Sequence, residues 1–191
     1  VEMRSGLPWD GKVSIHFSEF AYLSFSFPIE LQLRQPEWCD RMTLKVNGET
    51  LPVDVFHKEG VMGKIASGFD PRLARLQKVR NSWQAGDRVE VEFDLPIRLR
   101  TAHKRVKGHL GKVALTRGPL VYCLEDTDNP DLDIFNLRLD PGSLCAVEDK
   151  SLLGGLIKLT GRTLSGEPLT FIPYFLWGNR GPSHMTVWVN I

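Results

Sequence analysis

The chain has 191 residues and a mass of 21.6 kDa, enough to bury a core without metals or disulfides. Hydrophobic residues make up 42% and charged residues 25%, which excludes wholesale disorder and a fibrous repeat. Twenty-four basic against twenty-three acidic residues leave a net charge of +1, so no global field draws the chain toward nucleic acid. No apolar run approaches the roughly 18 residues of a membrane-spanning helix, and neither a nucleic acid nor a membrane is expected as a partner.

The chain starts at Val1 with neither an initiator Met nor an apolar leader. It is therefore expected to be a piece cut from a longer protein at its N-terminal side, with any signal peptide upstream. Its dominant period is two. Val13, Ile15 and Phe17 alternate with Ser14, His16 and Ser18, the pattern of a strand with one wet face. Ile29, Leu31 and Leu33 repeat it until Pro36 stops the run. Leu44-Lys45-Val46 meets Asn47-Gly48, a pair suited to a two-residue hairpin turn, and the return strand is expected over Leu51 to Val55.

Between residues 60 and 79 two readings compete. Asp70-Pro71 with Leu73 and Leu76 fits a short capped helix, whereas Val79, Asn81 and Trp83 fit alternation. Ala85-Gly86-Asp87 then turns into the alternating strand Arg88 to Phe93, closed by Pro96. The basic stretch 98–109, with no carboxylate in it, is expected to be a linker or domain edge. Apolar runs at Lys112 to Leu115 and Leu120 to Leu124 flank the turn Arg117-Gly118-Pro119. Further strands are expected near Leu156 to Leu159, Leu169 to Ile172 and Met185 to Val189. Many short strands with turn signals between them point to an all-β fold of two packed antiparallel β-sandwich, jelly-roll-like domains.

Catalytic patterns are missing. There is no G-x-S-x-G, no phosphate-binding Gly-rich loop and no H-E-x-x-H. Cys39, Cys123 and Cys145 are far apart and odd in number, so neither zinc-ligand spacing nor a disulfide framework is expected. They lean toward a reducing, cytoplasmic setting, with export left open. The acidic run Glu125-Asp126-Thr127-Asp128-Asn129-Pro130-Asp131 offers oxygen ligands, but it fails the calcium-loop pattern. A solvated loop is the expected reading, and a glycosidase acid/base pair is not expected from carboxylates crowded on one polar loop. Cys123 lies in an apolar strand and is expected to serve as a small hydrophobe.

Five tryptophans are many for this length. Exposed, they would form platforms for sugar rings; buried, they would fill sandwich cores. Trp9, Trp38, Trp83 and Trp177, together with Arg180, are the candidates for carbohydrate or interdomain contact, and Trp188 is expected in a core or interface.

Four phrases resemble the C-terminal part of bacterial glycoside hydrolase family 127, the β-L-arabinofuranosidase type. They are Leu7-Pro8-Trp9-Asp10-Gly11-Lys12-Val13, then Trp83-Gln84-Ala85-Gly86-Asp87-Arg88-Val89, then the long run from Gly111 through Arg117-Gly118-Pro119 to Glu125. The last is Ile172-Pro173-Tyr174-Phe175-Leu176-Trp177-Gly178-Asn179-Arg180-Gly181-Pro182, closing with Met185-Thr186-Val187-Trp188. Their order and spacing run over nearly the whole chain.

The resemblance implies an (α/α)6 catalytic barrel ahead of two β-sandwiches, with a Glu and three Cys holding zinc in that barrel and one Cys as nucleophile. Two of those cysteines are adjacent, and no two are adjacent here, so none of Cys39, Cys123 or Cys145 takes such a role. No catalytic residue, cofactor site or metal ligand is therefore expected in this segment. The resemblance also implies a first sandwich over residues 1–106, completed by the 184–191 strand, and a second over 107–183. The expected function is that of a non-catalytic accessory region supporting its own N-terminal barrel, with a homodimer contact as a further candidate. The alternative is a carbohydrate-binding module for arabinose-containing plant glycans.

Overall fold

A computed structural model describes residues 1–18, 29–52, 76–81, 83–152 and 154–191. The chain divides into two compact units, Val1–Leu95 and Pro96–Ile191. Among the described residues it holds fifteen strands and three short 3-10 turns, and every pairing between these strands is antiparallel.

In the first unit, β1 (Glu2–Ser5), β2 (Lys12–His16), β4 (Met42–Val46), β5 (Glu49–Leu51) and β7 (Arg88–Phe93) form a sheet in the order β1-β2-β7-β4-β5. β3 (Ile29–Arg34) and β6 (Leu76–Asn81) form a second, two-stranded sheet. Alternation decides which side chains go inside. Val89 and Val91 of β7 and Met42 and Leu44 of β4 are buried, while Arg88, Glu92, Thr43 and Lys45 face out. Leu31, Leu33 and Val79 from the two-stranded sheet pack on the same cluster, so the unit is a two-layer sandwich around one core. Residues 76–81 thus follow the alternating reading. The competing helix over 70–75 and the end of the expected return strand, 53–55, lie outside the described residues.

Two of the family-like phrases are the locks of this unit. In the first, Asp10 Oδ1 accepts the Lys12 amide at 2.8 Å and the Gly6 amide donates to the Lys12 carbonyl at 2.8 Å, closing the β1–β2 connection. Gly11 lies against β7, where a Cβ would stand 1.8 Å from the Phe93 carbonyl oxygen, so no larger residue fits. In the second phrase, Asp87 accepts the Gln84 amide at 2.7 Å and the Asn47 side-chain amide at 2.8 Å. Asn47, in the left-handed region at φ 51°, accepts the Arg88 amide in return at 2.8 Å. The β4–β5 hairpin turn and the start of β7 are therefore clamped to each other.

In the second unit, β8 (Ile97–Thr101), β9 (Lys112–Arg117), β10 (Leu120–Glu125), β11 (Leu139–Asp149), β12 (Leu156–Thr163), β13 (Pro168–Pro173), β14 (Met185–Thr186) and β15 (Trp188–Asn190) form one sheet. Its order is β11-β12-β13-β10-β9-β15, with β8 also on β9 and β14 also on β10. Leu115, Tyr122, Leu124, Leu139, Leu159, Phe171 and Val189 come from six of these strands into a single core, so the sheet folds over on itself. A parallel bridge from Arg138 to Asn190 ties the entry to β11 to the last strand, joining the two ends of the sheet order. The Tyr122 hydroxyl donates to the Ile157 carbonyl at 2.9 Å, and burial pushes its phenol up to about 12.

The expected domain limits differ from this structure in two ways. The division falls at Leu95/Pro96 and not at 106, because Ile97 to Thr101 is a strand of the second unit paired along β9. The strand expected to return to the first sandwich pairs instead with β9 through Trp188↔Ala114, Val189↔Val113 and Asn190↔Lys112. Val189 is buried in the second core, so hydrophobic burial keeps the chain end in its own unit. Deletion of residues 185–191 should therefore abolish the slow amide exchange of β9 and β10 while that of β4 and β7 persists. Loss confined to β4 and β7 would restore the discontinuous arrangement.

Candidate functional site

The second unit gathers its buried charge at the end of β10. Tyr122, Cys123 and Leu124 are buried in succession, so both faces of the strand are covered there, and the Glu125 side chain beside them is only 1% exposed. Such a carboxylate needs donors. The Gly178 amide donates to Oε1 at 3.1 Å, the Ser183 hydroxyl donates to the same oxygen, and Arg180 Nη2 donates to Oε2 at 2.5 Å. Arg180 also forks onto Asp128, with Nη1 and Nη2 each 2.6 Å from a carboxylate oxygen. Burial alone would push the Glu125 carboxyl up, but these donors outweigh it and hold the group below the ordinary carboxylate range. Its hydrogen bonds to Asp128 foremost, and then to Glu125, hold Arg180 still more firmly charged.

The loop that follows is tied down as well. Asn129, 4% exposed, donates to the carbonyls of Glu125 at 2.8 Å and Thr170 at 3.0 Å and accepts the Thr170 amide at 2.9 Å. Asp126 accepts the His184 amide and meets its ring Nδ1 at 2.9 Å. The expectation of a solvated acidic loop is thus corrected at Glu125, Asp128 and Asn129. Glu125 is not a poised acid: it serves a guanidinium, whereas a glycosidase acid must hold its proton in apolar surroundings.

The candidate tryptophans separate into different environments. Trp83 is buried and stacked on Phe17, with ring centroids 4.6 Å apart. Trp38 packs edge-on against Phe93 at the rim of the first core. Trp9 is half-buried in the turn before β2. Trp188 stacks on His109 at 4.6 Å, on the side of β15 opposite the buried Val189. Trp177 alone among them is exposed, at 45%. Arg180 lies three residues beyond Trp177, in the ion-pair cluster just described.

In the first unit, the outer face of the five-stranded sheet holds an open cavity of about 520 Å³ lined by Arg4, Lys12, Lys45, Arg88, Glu90 and Glu92. The strand register sets Lys12 opposite Glu92 and Lys45 opposite Glu90, so charges of opposite sign face each other. No aromatic side chain lines it.

Cys39 and Cys123 are buried and Cys145 is exposed, and none of them is in a disulfide. Burial, and then the negative charges of Glu125 and Asp128, push the Cys123 thiol up to about 12, which leaves it protonated and unreactive at neutral pH. Among the described residues no group of three or more His, Cys, Asp or Glu side chains is arranged to hold a metal ion.

Sequence reasoning missed the pairing of Glu125 with Arg180. The two stand 55 residues apart, so no local pattern joins them. A signal was present nevertheless: Glu125 closes the unbroken apolar run Leu120 to Leu124, the mark of a strand covered on both faces, and a buried carboxylate predicts a cation somewhere else in the chain.

Residues 1–95 match the family model described as "Beta-L-arabinofuranosidase, GH127 middle domain". Residues 97–190 match the one described as "Glycoside hydrolase family 127 C-terminal domain". A non-reducing end β-L-arabinofuranosidase of Bifidobacterium longum subsp. longum is 32% identical over 98% of this chain and 30% of its own length. The crystal structure of Ara127N-Se, a GH127 β-L-arabinofuranosidase from Geobacillus stearothermophilus T6, is similar with a TM-score of 0.76 and 32% identity, over 98% of this chain and 30% of that one. The GH127 β-arabinofuranosidase BT3674 is similar with a TM-score of 0.74 and 25% identity, over 99% of this chain and 31% of that one. The chain thus spans about three-tenths of the length of these relatives.

The Glu125 cluster sets a pH dependence. Because its folded carboxyl lies below the ordinary 4.5, its stabilisation is complete above that pH and is lost as pH falls through the lowered value. Glu125→Gln should cost the second unit about 2 kcal/mol at pH 7. The gap to the parent protein should stay constant down to about pH 4.5 and close below it, followed by urea unfolding across pH. A gap of the same size at pH 2.5 and pH 7 would remove the carboxylate from the account.

Proposed function

Because the chain belongs to glycoside hydrolase family 127, matching its middle and C-terminal domains in turn, we propose that it is the non-catalytic accessory region of an arabinofuranosidase-like enzyme. In this reading the two β units support a separate catalytic domain, and zinc and the nucleophile belong to that domain. One observation carries it: two models named for the middle and the C-terminal domain tile the chain, while the chain spans only about three-tenths of its relatives. The side chains agree with that reading. The buried carboxylates are committed to Arg180, and the buried Cys123 thiol is held protonated.

A sugar-binding module has one observation in its favour, the exposed ring of Trp177 beside Tyr174 and Phe175. Against it, Trp38 and Trp83 belong to the packing of the first unit. The accessory reading predicts that the purified 191-residue chain does not hydrolyse aryl β-L-arabinofuranosides. It predicts also that the coding sequence upstream holds an adjacent Cys-Cys pair and a Glu-x-Cys. Turnover by the chain alone, free of host glycosidase, would sink it.

A further inference from the structure

Strand cations in the first unit face carboxylates: Lys12 stands opposite Glu92, Lys45 opposite Glu90, and Arg88 pairs with Glu90 at 3.0 Å. One face of the second unit lacks this matching. Residues 95–124 hold seven Lys and Arg and no Asp or Glu. The register sets Arg100 of β8 and Trp188 of β15 on either side of Ala114 of β9. These three side chains share the sheet face opposite the buried Val113 and Val189. Lys112, two residues before Ala114, belongs to the same face, diagonal to Arg100 at about 7–8 Å.

The basic turn Lys107–His109 is tied to this face. The His109 ring stacks on Trp188 with centroids 4.6 Å apart and planes 15° from parallel. The His109 amide donates to the Val106 carbonyl at 3.1 Å and the Val106 amide to the His103 carbonyl at 2.8 Å, which shapes the approach to the turn. Arg100, Lys104, Arg105 and Lys107 are exposed. Among the described residues none of these four, nor Lys112, meets a carboxylate. Like charges gathered from two strands and a turn repel one another, and a bound anion relieves that repulsion.

We infer that this face binds the carboxylates of an acidic glycan, a sugar chain containing uronic acid residues; the choice of a glycan rests on the glycoside hydrolase parent proposed above. A guanidinium takes a carboxylate through two parallel hydrogen bonds, and ammonium groups add point charges. Arg100 offers the fork, with Lys112 and Lys107 as the point charges. Cations spread over two strands and a turn suit carboxylates that recur along a chain. A single-stranded nucleic acid would ask for open aromatic faces between the cations. Here the indole of Trp188 already has His109 stacked on it. The net charge of +1 also supplies no long-range attraction for a polyphosphate.

Titration of the isotope-labelled 191-residue chain at low salt with a short galacturonate oligosaccharide, followed by NMR, tests this. Millimolar sugar should shift the resonances of Arg100, His109, Lys112 and Trp188, and the methyl-esterified oligosaccharide should not. Arg100→Gln with Lys112→Gln should weaken binding at least about ten-fold without lowering the melting temperature. Lys150→Gln, which removes an exposed cation beside β11, should leave binding unchanged. Absence of shifts on this face at millimolar galacturonate would overturn the site. So would equal shifts from the esterified sugar, equal weakening by Lys150→Gln, or an equal response to a DNA oligonucleotide of the same charge. None of these results touches the accessory reading, which the turnover assay above decides.

Discussion

A carboxylate taken out of water must be given charge and hydrogen bonds or it will not stay ionised. Glu125 sits at the end of the strand that runs through the middle of the second unit's sheet, and nearly all of it is buried. Its demand for donors gathers Gly178, Arg180 and Ser183 into one place. Arg180 in turn brings Asp128, and the acidic loop is fixed between β10 and β13 by Asn129. The result is a long connection between β13 and β14 with a defined shape, followed by a chain end that feeds β14 and β15 back onto β10 and β9. One buried charge thereby organises the segment that closes the protein.

The family-like phrases make the same point in both units. The residues at their centres hold turns. Gly11 is small because β7 passes against it, and Asn47 and Asp87 trade hydrogen bonds that join two turns. The third and fourth phrases, distant in sequence, meet where Glu125 binds Arg180. A family resemblance carried by such residues is evidence of shared architecture. Activity is a separate question, decided by the chemistry of a site and not by the architecture that carries it.

β2, β3, β4 and β7 of the first unit were legible because their side chains alternate between a wet and a covered face. Val89 and Val91 against Arg88, Glu90 and Glu92 can be read without a structure, as can the Asn47-Gly48 turn. β11 was hidden because its eleven residues include Pro141 and Gly142 and a register shift between Asp140 and Cys145, which break the alternation. In β8, Arg98 and Arg100 dominate the composition and conceal the Ile97 and Leu99 between which they fall, so a strand looked like a linker. The last strand was assigned to the wrong sheet for a different reason. A short apolar strand declares that it will pair, but only the cores show with which partner, and Val189 completes the second core. The Glu125–Arg180 pair was out of reach for the same reason, since its partners meet only once the sheet has formed.

Shape held by buried charge is the account that these residues support. Its most direct test is a double-mutant cycle on Glu125→Gln and Arg180→Met at pH 7. Unfolding would be followed in urea through the slowly exchanging amides of β9 and β10. The account predicts a coupling of at least about 2 kcal/mol between the two positions. Additive effects, with a coupling below about 0.5 kcal/mol, would contradict it.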